Sequence, residues 1–344
     1  MDTINCENLV VGAGIVGSCI AHQLKKNGHE IVVIDQGFGG HGATSFSAGL
    51  RFPFGRKAIT RVLAAESDNF YSQLPSELFV HLDAVAACCK GGEDDFLEAC
   101  AGKATLLAGN MRLSPAGVFI ISHAQNTSAF SLSDCSHSIP QRVVDSLCTD
   151  SDIRPLWGTR LTSVRRDENG ACVDLADGRR ITCRRAVVAA GPWVKPLLAA
   201  SNLSSKGIRI KKIVAFHLPS HLFPENSLFY FPDNDAFILN SSLYRDAILS
   251  ITSEQWDVEP GRQVLEVTSH DRIIGRSVLN RYFPFFDIPL LSARVFCDSY
   301  SDNGAPSIIG ADDRVTFVSG MNGSGFRLAP GIALQATRGW SDHR

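Results

Sequence analysis

The sequence predicts an α/β protein, α+β overall, that combines a Rossmann-type unit with a mostly antiparallel β-sheet. Residues 6–35 show a buried strand, a glycine-rich turn, a helix and a second buried strand, the order of a βαβ unit. Residues 206–299 are rich in β-branched and aromatic residues with frequent turns, which is typical of antiparallel strands. Residues 315–330 return to α/β character, with a strand, a glycine-rich turn and a helix start.

The N-terminal unit is predicted element by element. Apolar residues without alternation predict a buried parallel strand over 6–12. Apolar residues at helical spacing predict a helix over 15–27, which Gly28 is expected to end. The apolar run at 30–35 predicts the second strand, which closes on an acidic residue.

The later elements are predicted from the same periodicities. They are a helix over 58–74, a mixed region over 76–139 with apolar runs such as 117–121, a short helix over 140–149, two strands around the Asp177-Gly178 turn within 160–185, a strand over 186–190, a strand over 315–319 and a helix from about 328.

Composition and charge exclude several classes of protein. The 344 residues are too many for one ordinary core, so two closely joined domains are expected. A net charge of −2 without a Lys/Arg block argues against nucleic-acid binding. No apolar run approaches the ~18 residues that span a bilayer, and no signal peptide is recognisable. A cytoplasmic protein is therefore predicted.

The ten cysteines are scattered along the chain. They form no CxxC pair and no Cys/His cluster with zinc spacing, so no metal site is predicted. Reduced and mostly buried thiols in a cytosolic protein are the expectation.

A glycine fingerprint lies between the first strand and the first helix. Gly12 allows the tight turn, Gly14 lets the backbone approach a pyrophosphate, and Gly17 lets the helix pack closely on the strand. The helix N-terminus then offers free N–H groups to phosphates. Asp35 closes the second strand, where an acid accepts from a ribose hydroxyl and disfavours NADP. A tight turn without ligand is the alternative, but the context predicts a dinucleotide.

Three further segments favour FAD over NAD. The loop 42–51 follows Asp35 with small and hydroxyl residues that let the backbone run close to a bulky planar ring. The strand ending in Ala190-Gly191-Pro192-Trp193 returns to the dinucleotide from far along the chain. The segment 320–330 places glycines before a second helix start.

These segments resemble the FAD-dependent amine and amino-acid oxidase family, typified by D-amino-acid oxidase, glycine oxidase and monomeric sarcosine oxidase. The matching segments are 9–36, 42–51, 186–198 and 306–331, in the family's order. The resemblance implies that the Rossmann-type FAD-binding domain is interleaved with a mostly antiparallel β-sheet substrate domain. The implied FAD-binding segments are 1–75, 140–205 and 300–344, and the implied substrate-domain segments are 76–139 and 206–299.

The resemblance also implies which residues hold FAD. The loop 42–51 passes the flavin and pyrophosphate, Ser163-Val164 contacts adenine through its backbone, and the turn 320–325 directs a helix N-terminus at the N1/O2 edge of the flavin. Cys297 lies near the position where sarcosine oxidases attach FAD, but out of register, so non-covalent FAD is expected. The cofactor residues are Gly12, Ala13, Gly14, Ile15, Val16, Gly17, Asp35, Gln36, Ala43, Thr44, Ser45, Ser47, Ala48, Gly49, Leu50, Val164, Ala190, Gly191, Trp193, Gly320, Asn322, Gly323, Ser324, Gly325, Phe326, Arg327 and Leu328.

The implied reaction is oxidation of a C–N bond in a small amine or amino acid. A hydride passes from the carbon beside the amine to flavin N5, and the imine hydrolyses. Arg327 follows Gly-Phe where sarcosine oxidases carry a cation that holds the substrate carboxylate, and Arg51 is the second candidate. Tyr230 and Tyr244 are candidates to cap the pocket, with a core aromatic as the alternative role.

One segment departs from the family pattern. Glycine and D-amino-acid oxidases carry an arginine before the Asp-Gly-x-Pro turn, whereas residues 296–306 contain none and two acids. Arg294 lies too early unless the loop is reshaped. Asp298 or Asp302 is expected either to face a cationic amine or to cap the turn, so the substrate need not be a simple α-amino acid.

Two other functions remain open at this point. One is oxidation of a 2-hydroxy acid, and the other is a flavin-binding regulatory protein without turnover. Oxygen or another acceptor reoxidises the flavin, and Lys206, Lys211 and Lys212 are candidates by position for a lysine that promotes reaction with oxygen. The oligomeric state does not follow from the residues.

Overall fold

The structure is a computed structural model that describes residues 3–107, 127–148, 153–262, 264–310, 314–338 and 340. The apolar run at 117–121 lies outside the described residues. The helices are α1 Ile15–Lys26, α2 Ala43–Phe46, α3 Ala58–Tyr71, α4 Glu93–Ala99, α5 Pro140–Cys148, α6 Val194–Ala200, α7 Ser269–Tyr282 and α8 Gly325–Ala336. The strands are β1 Thr3–Val11, β2 Ile31–Ile34, β3 Leu50–Arg51, β4 Val80–His81, β5 Asp83–Cys89, β6 Ala104–Leu106, β7 Thr127–Leu132, β8 Ser136–His137, β9 Ile153–Leu156, β10 Leu161–Asp167, β11 Gly170–Leu175, β12 Arg180–Val188, β13 Ile208–Leu218, β14 Ser227–Phe231, β15 Ala236–Asn240, β16 Ala247–Trp256, β17 Ala293–Ser301, β18 Ser307–Gly310 and β19 Val315–Ser319.

The first sheet is the predicted Rossmann-type layer. Its order is β10-β11-β12-β1-β2-β9, and β19 pairs with the second half of β12. The parallel strands of this sheet are β9, β2, β1, β12 and β19. Successive side chains point to opposite sides, so both faces of the sheet are apolar and helices cover each of them. Val10 and Val33 pack against α1, α3, α5 and α8, whereas Leu9 and Val32 face the side covered by α6. The predicted fold class is confirmed.

The N-terminal elements agree closely with the prediction. Helix α1 ends in a Schellman motif, in which Gly28 has φ +80° and its N–H donates to the Lys25 carbonyl over 2.7 Å. The segment 160–185 was predicted as two strands, and this is wrong. It belongs to three strands, since a second reversal at 168–169 separates β10 from β11 before the Asp177-Gly178 turn.

The second sheet has the order β17-β13-β16-β15-β14-β5-β7-β6 and is antiparallel except where β14 meets β5. Helix α7, which the periodicity of 206–299 did not predict, covers one face through Val278 and Leu279. It begins with a capping box between Thr268 and Asp271. A small third sheet, β3-β8-β4, lies beside these two.

A buried ion pair joins this sheet to α7. Lys212 of β13 places its Nζ 2.8 Å from an Asp271 carboxylate oxygen, and each side chain is 1% exposed. The same Nζ donates to the Glu266 carbonyl over 3.2 Å. Thr268 donates to the Asp271 carboxylate from its backbone N–H and its hydroxyl. The pair therefore fixes the start of α7 on the sheet.

Two hydrogen bonds fix α8 on α3. The Tyr71 hydroxyl donates to the Phe326 carbonyl over 2.6 Å, and the Gly331 N–H donates to Ser67 Oγ over 2.9 Å. A Cβ added at Gly331 would lie 2.4 Å from the Leu63 carbonyl oxygen, so the two backbones approach too closely for any side chain there. Helix α8 is thus held at its first turn and at its middle by a helix from the first quarter of the chain.

Candidate active site

A cavity of about 710 Å³ runs from the glycine fingerprint to the second sheet. It is lined by these predicted residues: Gly12, Gly14, Ile15, Val16, Asp35, Gln36, Ala43, Thr44, Ser47, Ala48, Leu50, Ala190, Gly191, Trp193, Tyr230, Asn322, Gly323, Ser324, Gly325, Phe326 and Arg327. The predicted residues that lie near it without lining it are Ala13, Gly17, Ser45, Gly49, Arg51, Val164, Tyr244, Gly320 and Leu328.

The fingerprint glycines are required by close backbone approaches. Gly12 has φ +94°, and a Cβ there would lie 2.4 Å from the Ala189 carbonyl oxygen. A Cβ at Gly17 would lie 1.8 Å from the Gly12 carbonyl oxygen. The Asp35 carboxylate accepts from the Ala13 N–H over 2.7 Å and so holds the turn while still lining the cavity. These residues fit the pyrophosphate and ribose of a dinucleotide.

Replacing Gly12 with alanine is expected to remove most of the bound flavin. Alanine is strained at the positive φ of Gly12, and its Cβ would displace the Ala189 carbonyl. The turn therefore opens, and the phosphates lose their N–H donors. The flavin-to-protein absorbance ratio after purification should fall about tenfold, which is 1.4 kcal/mol or more.

Gly178→Ala is the matched control for this change. Gly178 also has a positive φ, +84°, but a Cβ there meets nothing within 4 Å. That variant carries the backbone strain without the displaced carbonyl, and it should keep its flavin. Equal flavin content in the two variants would show that the close approach of Gly12 to the Ala189 carbonyl does not matter for cofactor binding.

The segment predicted to contact adenine, Ser163-Val164, lies in β10. The Val164 N–H donates to Ser201 Oγ over 3.2 Å, and Val164 does not line the cavity. Leu161 and Thr162 line it instead. The register between β10 and β11 shifts between Leu161 and Ser163, and such a bulge turns backbone toward a neighbouring site. A bulge leaves no signal in the hydrophobic pattern, so the sequence does not show which residues of this segment line the cavity.

The second sheet forms the other wall of the cavity through alternate residues. Residues that sequence reasoning missed line it from β13, β15, β16 and β17: Ile213, Ala215, Phe237, Ile248, Ser250, Thr252, Phe296 and Tyr300. Their i, i+2 spacing is the available signal, because one face of each strand points to the cavity and the other to α7.

Arg327 lies at the first turn of α8 and lines the cavity. The residue is 9% exposed, and its guanidinium donates to the Phe54 carbonyl and to Ser324 Oγ and lies 4.6 Å from the centre of the Phe52 ring. Burial lowers the pKa of this guanidinium. Within the described part of the chain, no carboxylate lies within 4.0 Å of it. A buried cation held only by neutral groups is suited to an anionic ligand.

Arg51 and Tyr244 are not among the residues that line the cavity. Arg51 pairs with Asp68 over 3.3 Å and lies 5.0 Å from the Tyr71 ring, outside the cavity. Leu50 lines the cavity instead, because adjacent strand residues point to opposite sides. Tyr244 packs 5.5 Å from the ring of His137, behind the wall.

Asp298 lines the cavity and also caps the glycine turn. Its carboxylate accepts from the Gly323 N–H over 3.1 Å and from the Ser299 N–H over 2.8 Å. Burial raises the pKa of Asp298 to about 6, although both N–H groups oppose the shift. Asp302, the other acid of the segment, does not line the cavity.

Cys297 and the three candidate lysines do not reach the cavity. Cys297 packs with Ile210, and burial raises the pKa of its thiol to about 12. Lys212 faces α7, and Lys206 and Lys211 are not among the described residues that line the cavity.

A cavity that begins on a dinucleotide fingerprint and continues under an antiparallel sheet is the arrangement of a flavoprotein oxidoreductase. The sequence supports this class independently, since residues 8–338 match the profile of the family described as FAD dependent oxidoreductase (DAO). The chain belongs to this FAD-dependent oxidoreductase family, and FAD is its cofactor. The resemblance drawn from the sequence motifs is confirmed.

Solved structures of similar fold cover nearly the whole chain. Glycine oxidase from Geobacillus kaustophilus superposes with a TM-score of 0.75 at 16% identity, covering 96% of this chain and 94% of that one. L-proline dehydrogenase from P. horikoshii superposes with a TM-score of 0.76 at 16% identity, covering 97% of this chain and 93% of that one. Iminodiacetate oxidase from Chelativorans sp. BNC1 superposes with a TM-score of 0.71 at 17% identity, covering 96% of this chain and 94% of that one. At such identities the likeness establishes the fold.

No curated protein matches the chain closely enough to count as a relative. The helices among the described residues are all too short or too polar to cross a membrane. Nor do three His, Cys, Asp or Glu side chains come together there as a metal site.

Proposed function

We propose that this protein oxidises a C–N bond of a small amine or amino acid. Bound FAD supplies the acceptor for the hydride that leaves the carbon beside the amine. The observation that carries the proposal is Arg327, a buried guanidinium that lines the cavity and has neutral partners within the described residues. Such a group is suited to the carboxylate of an amino acid.

The surroundings of Arg327 support the same reading of the substrate. Phe52 lies against its guanidinium, and the ring of Tyr230 lies 4.9 Å from that of Phe52. This aromatic wall excludes water and strengthens the ion pair with a bound carboxylate. Burial raises the pKa of Tyr230, so its hydroxyl stays neutral and serves as a donor to the substrate.

The cofactor residues are assigned by the same proposal. The turn at Gly12 and the first turn of α1 hold the pyrophosphate, Asp35 accepts from the ribose, and Leu161-Thr162 flank the adenine. The turn at 320–325, of which residues 321–325 line the cavity, flanks the flavin. Segments 1–75, 140–205 and 300–344 then form the FAD-binding domain, and the remainder forms the substrate domain.

The location and the acceptor complete the proposal. The ten cysteines are all unpaired, which is usual for a cytoplasmic protein and unusual for a secreted one. Oxygen or another electron acceptor reoxidises the flavin.

Anaerobic mixing of the purified holoenzyme with a substrate panel tests the reaction class. The panel contains amino acids of both configurations, N-methyl amino acids and simple amines, each beside the 2-hydroxy acid of the same carbon skeleton. We expect amino compounds to bleach the visible flavin band and the hydroxy acids to leave it unchanged. Bleaching by the hydroxy acids alone would overturn C–N oxidation, and bleaching by neither set would favour a regulatory flavoprotein.

A further inference from the structure

Arg294, the second residue of β17, is another arginine that lines the cavity. The side chains of Arg294, Phe296 and Asp298 point into the cavity, since alternate residues of a strand share a face. Arg294 is four residues from Asp298, so the two lie about 13 Å apart along the strand. Ala215 is its register partner on β13 and also lines the cavity.

The guanidinium of Arg294 has donor groups without partners. Its Nε and Nη2 are buried and have no hydrogen-bond partner among the described residues. The ring of Tyr244, 6.0 Å away, lies against the guanidinium. Over the described ranges no carboxylate lies within 4.0 Å of this side chain, and burial lowers its pKa. Charged groups are costly to bury in this way unless an anion meets them.

The geometry of the free donors selects the anion. Nε–H and the adjacent Nη2–H point from the same edge of the planar guanidinium, and this edge matches the two oxygens of a carboxylate. The wall between Arg294 and Asp298 is apolar, formed by Phe296 with Ile213 and Ala215 opposite. A ligand reaching Arg294 therefore passes an apolar segment before it ends in a negative group.

We propose that Arg294 binds a second, distal carboxylate of the substrate, separated from the reacting amine by an apolar segment. This inference rests on the proposed C–N oxidation, in which Arg327 holds the carboxylate near the amine. The substrate class is then an amino acid or amine with an acidic side chain rather than a short neutral amino acid.

The test measures binding and needs no turnover. The probes are ω-carboxylate amino acids of increasing length, namely aspartate, glutamate, 2-aminoadipate and 2-aminopimelate, each beside its ω-amide. Their dissociation constants come from the change in flavin absorbance, or in unfolding temperature, of the holoenzyme. At the chain length that reaches Arg294, we expect the acid to bind about 30-fold more tightly than the amide.

Variants separate this inference from the proposed function. Arg294→Met should reduce the acid-to-amide preference to about one, and Arg294→Lys should restore part of it. Arg327→Met should weaken acid and amide equally and leave the preference unchanged. Failure of every amino compound in the wider panel to reduce the flavin would overturn C–N oxidation, whereas the binding preference would still support the subsite.

Three results would overturn the subsite. They are equal binding of acid and amide at every length in the wild type, an unchanged preference in Arg294→Met, and loss of FAD from both Arg294 variants. The last would make Arg294 a cofactor ligand.

Discussion

Replacing Arg327 with methionine is expected to raise the dissociation constant of a carboxylate-bearing substrate about 10²-fold, or ~3 kcal/mol. The cause is the loss of a charge-assisted contact in a site where Phe52 and Phe54 keep water away. Stopped-flow reduction under anaerobic conditions gives the dissociation constant and the limiting rate separately. The limiting rate should change far less, because the guanidinium binds the carboxylate in the ground state and in the transition state alike.

Arg51→Met is the comparison that makes this result specific. Arg51 pairs with Asp68 and packs on Tyr71 outside the cavity, so its loss should lower stability and leave substrate affinity unchanged. Flavin content and unfolding temperature of both variants show that each is folded. An unchanged dissociation constant in Arg327→Met would remove this residue from the substrate site.

Breaking the Lys212–Asp271 pair is expected to destabilise the second sheet and α7 strongly. Lys212→Met leaves a carboxylate buried without its cation, which costs about 3–5 kcal/mol. Asp271→Asn leaves the Lys212 ammonium buried without its anion, at a comparable cost, but keeps an oxygen that accepts hydrogen bonds from Thr268. Urea unfolding at a fixed FAD concentration measures both, and the double variant should lose less than the two single losses combined.

The control is Lys195→Met, which breaks an exposed pair. Lys195 lies 3.4 Å from Asp257, with side-chain exposures of 42% and 47%, so its removal should cost less than about 1 kcal/mol. A loss as small as this in Lys212→Met would contradict the buried pair.

The same pair predicts a pH dependence. Burial favours a raised pKa for Asp271, but the hydrogen bonds from Lys212 and Thr268 outweigh it, so the pKa is lowered. A lowered carboxylate pKa contributes stability above the unfolded-state value of about 4, and this contribution disappears as the pH falls below it. Acid unfolding should therefore be steeper in the wild type than in Asp271→Asn.

The sequence predicted the fold well where periodicity is unambiguous. Strand β19 was predicted with its observed bounds because its five residues are all buried. The end of α1 was predicted because the positive φ there favours a glycine, Gly28. Helix α7 was missed because its exposed face is strongly polar and its buried residues are few. What identifies its start is the Thr268–Asp271 capping box, a local hydrogen-bond pattern rather than a period.

The candidate site divides along similar lines. Arg327 was predicted from the family resemblance, because it follows Gly-Phe at a helix start, and it lines the cavity. Arg51 does not line the cavity, because a strand turns neighbouring residues to opposite sides, and the linear sequence does not show which side faces the cavity. Arg294 was dismissed as lying too early, yet its strand direction and register with β13 bring it to the cavity. Register between distant strands is a property of the folded sheet.

The two hydrogen bonds that fix α8 on α3 affect when the enzyme can bind its cofactor during synthesis. Gly12 emerges from the ribosome at the start, but Arg327 and the strand β19 beside β12 emerge about 300 residues later. Until then Tyr71 and Ser67 lack the backbone groups that they meet in α8. A nascent chain thus carries the cofactor fingerprint long before it can close the cavity around a cofactor. Loading of FAD should follow the emergence of α8, and variants truncated before residue 315 should accumulate without flavin.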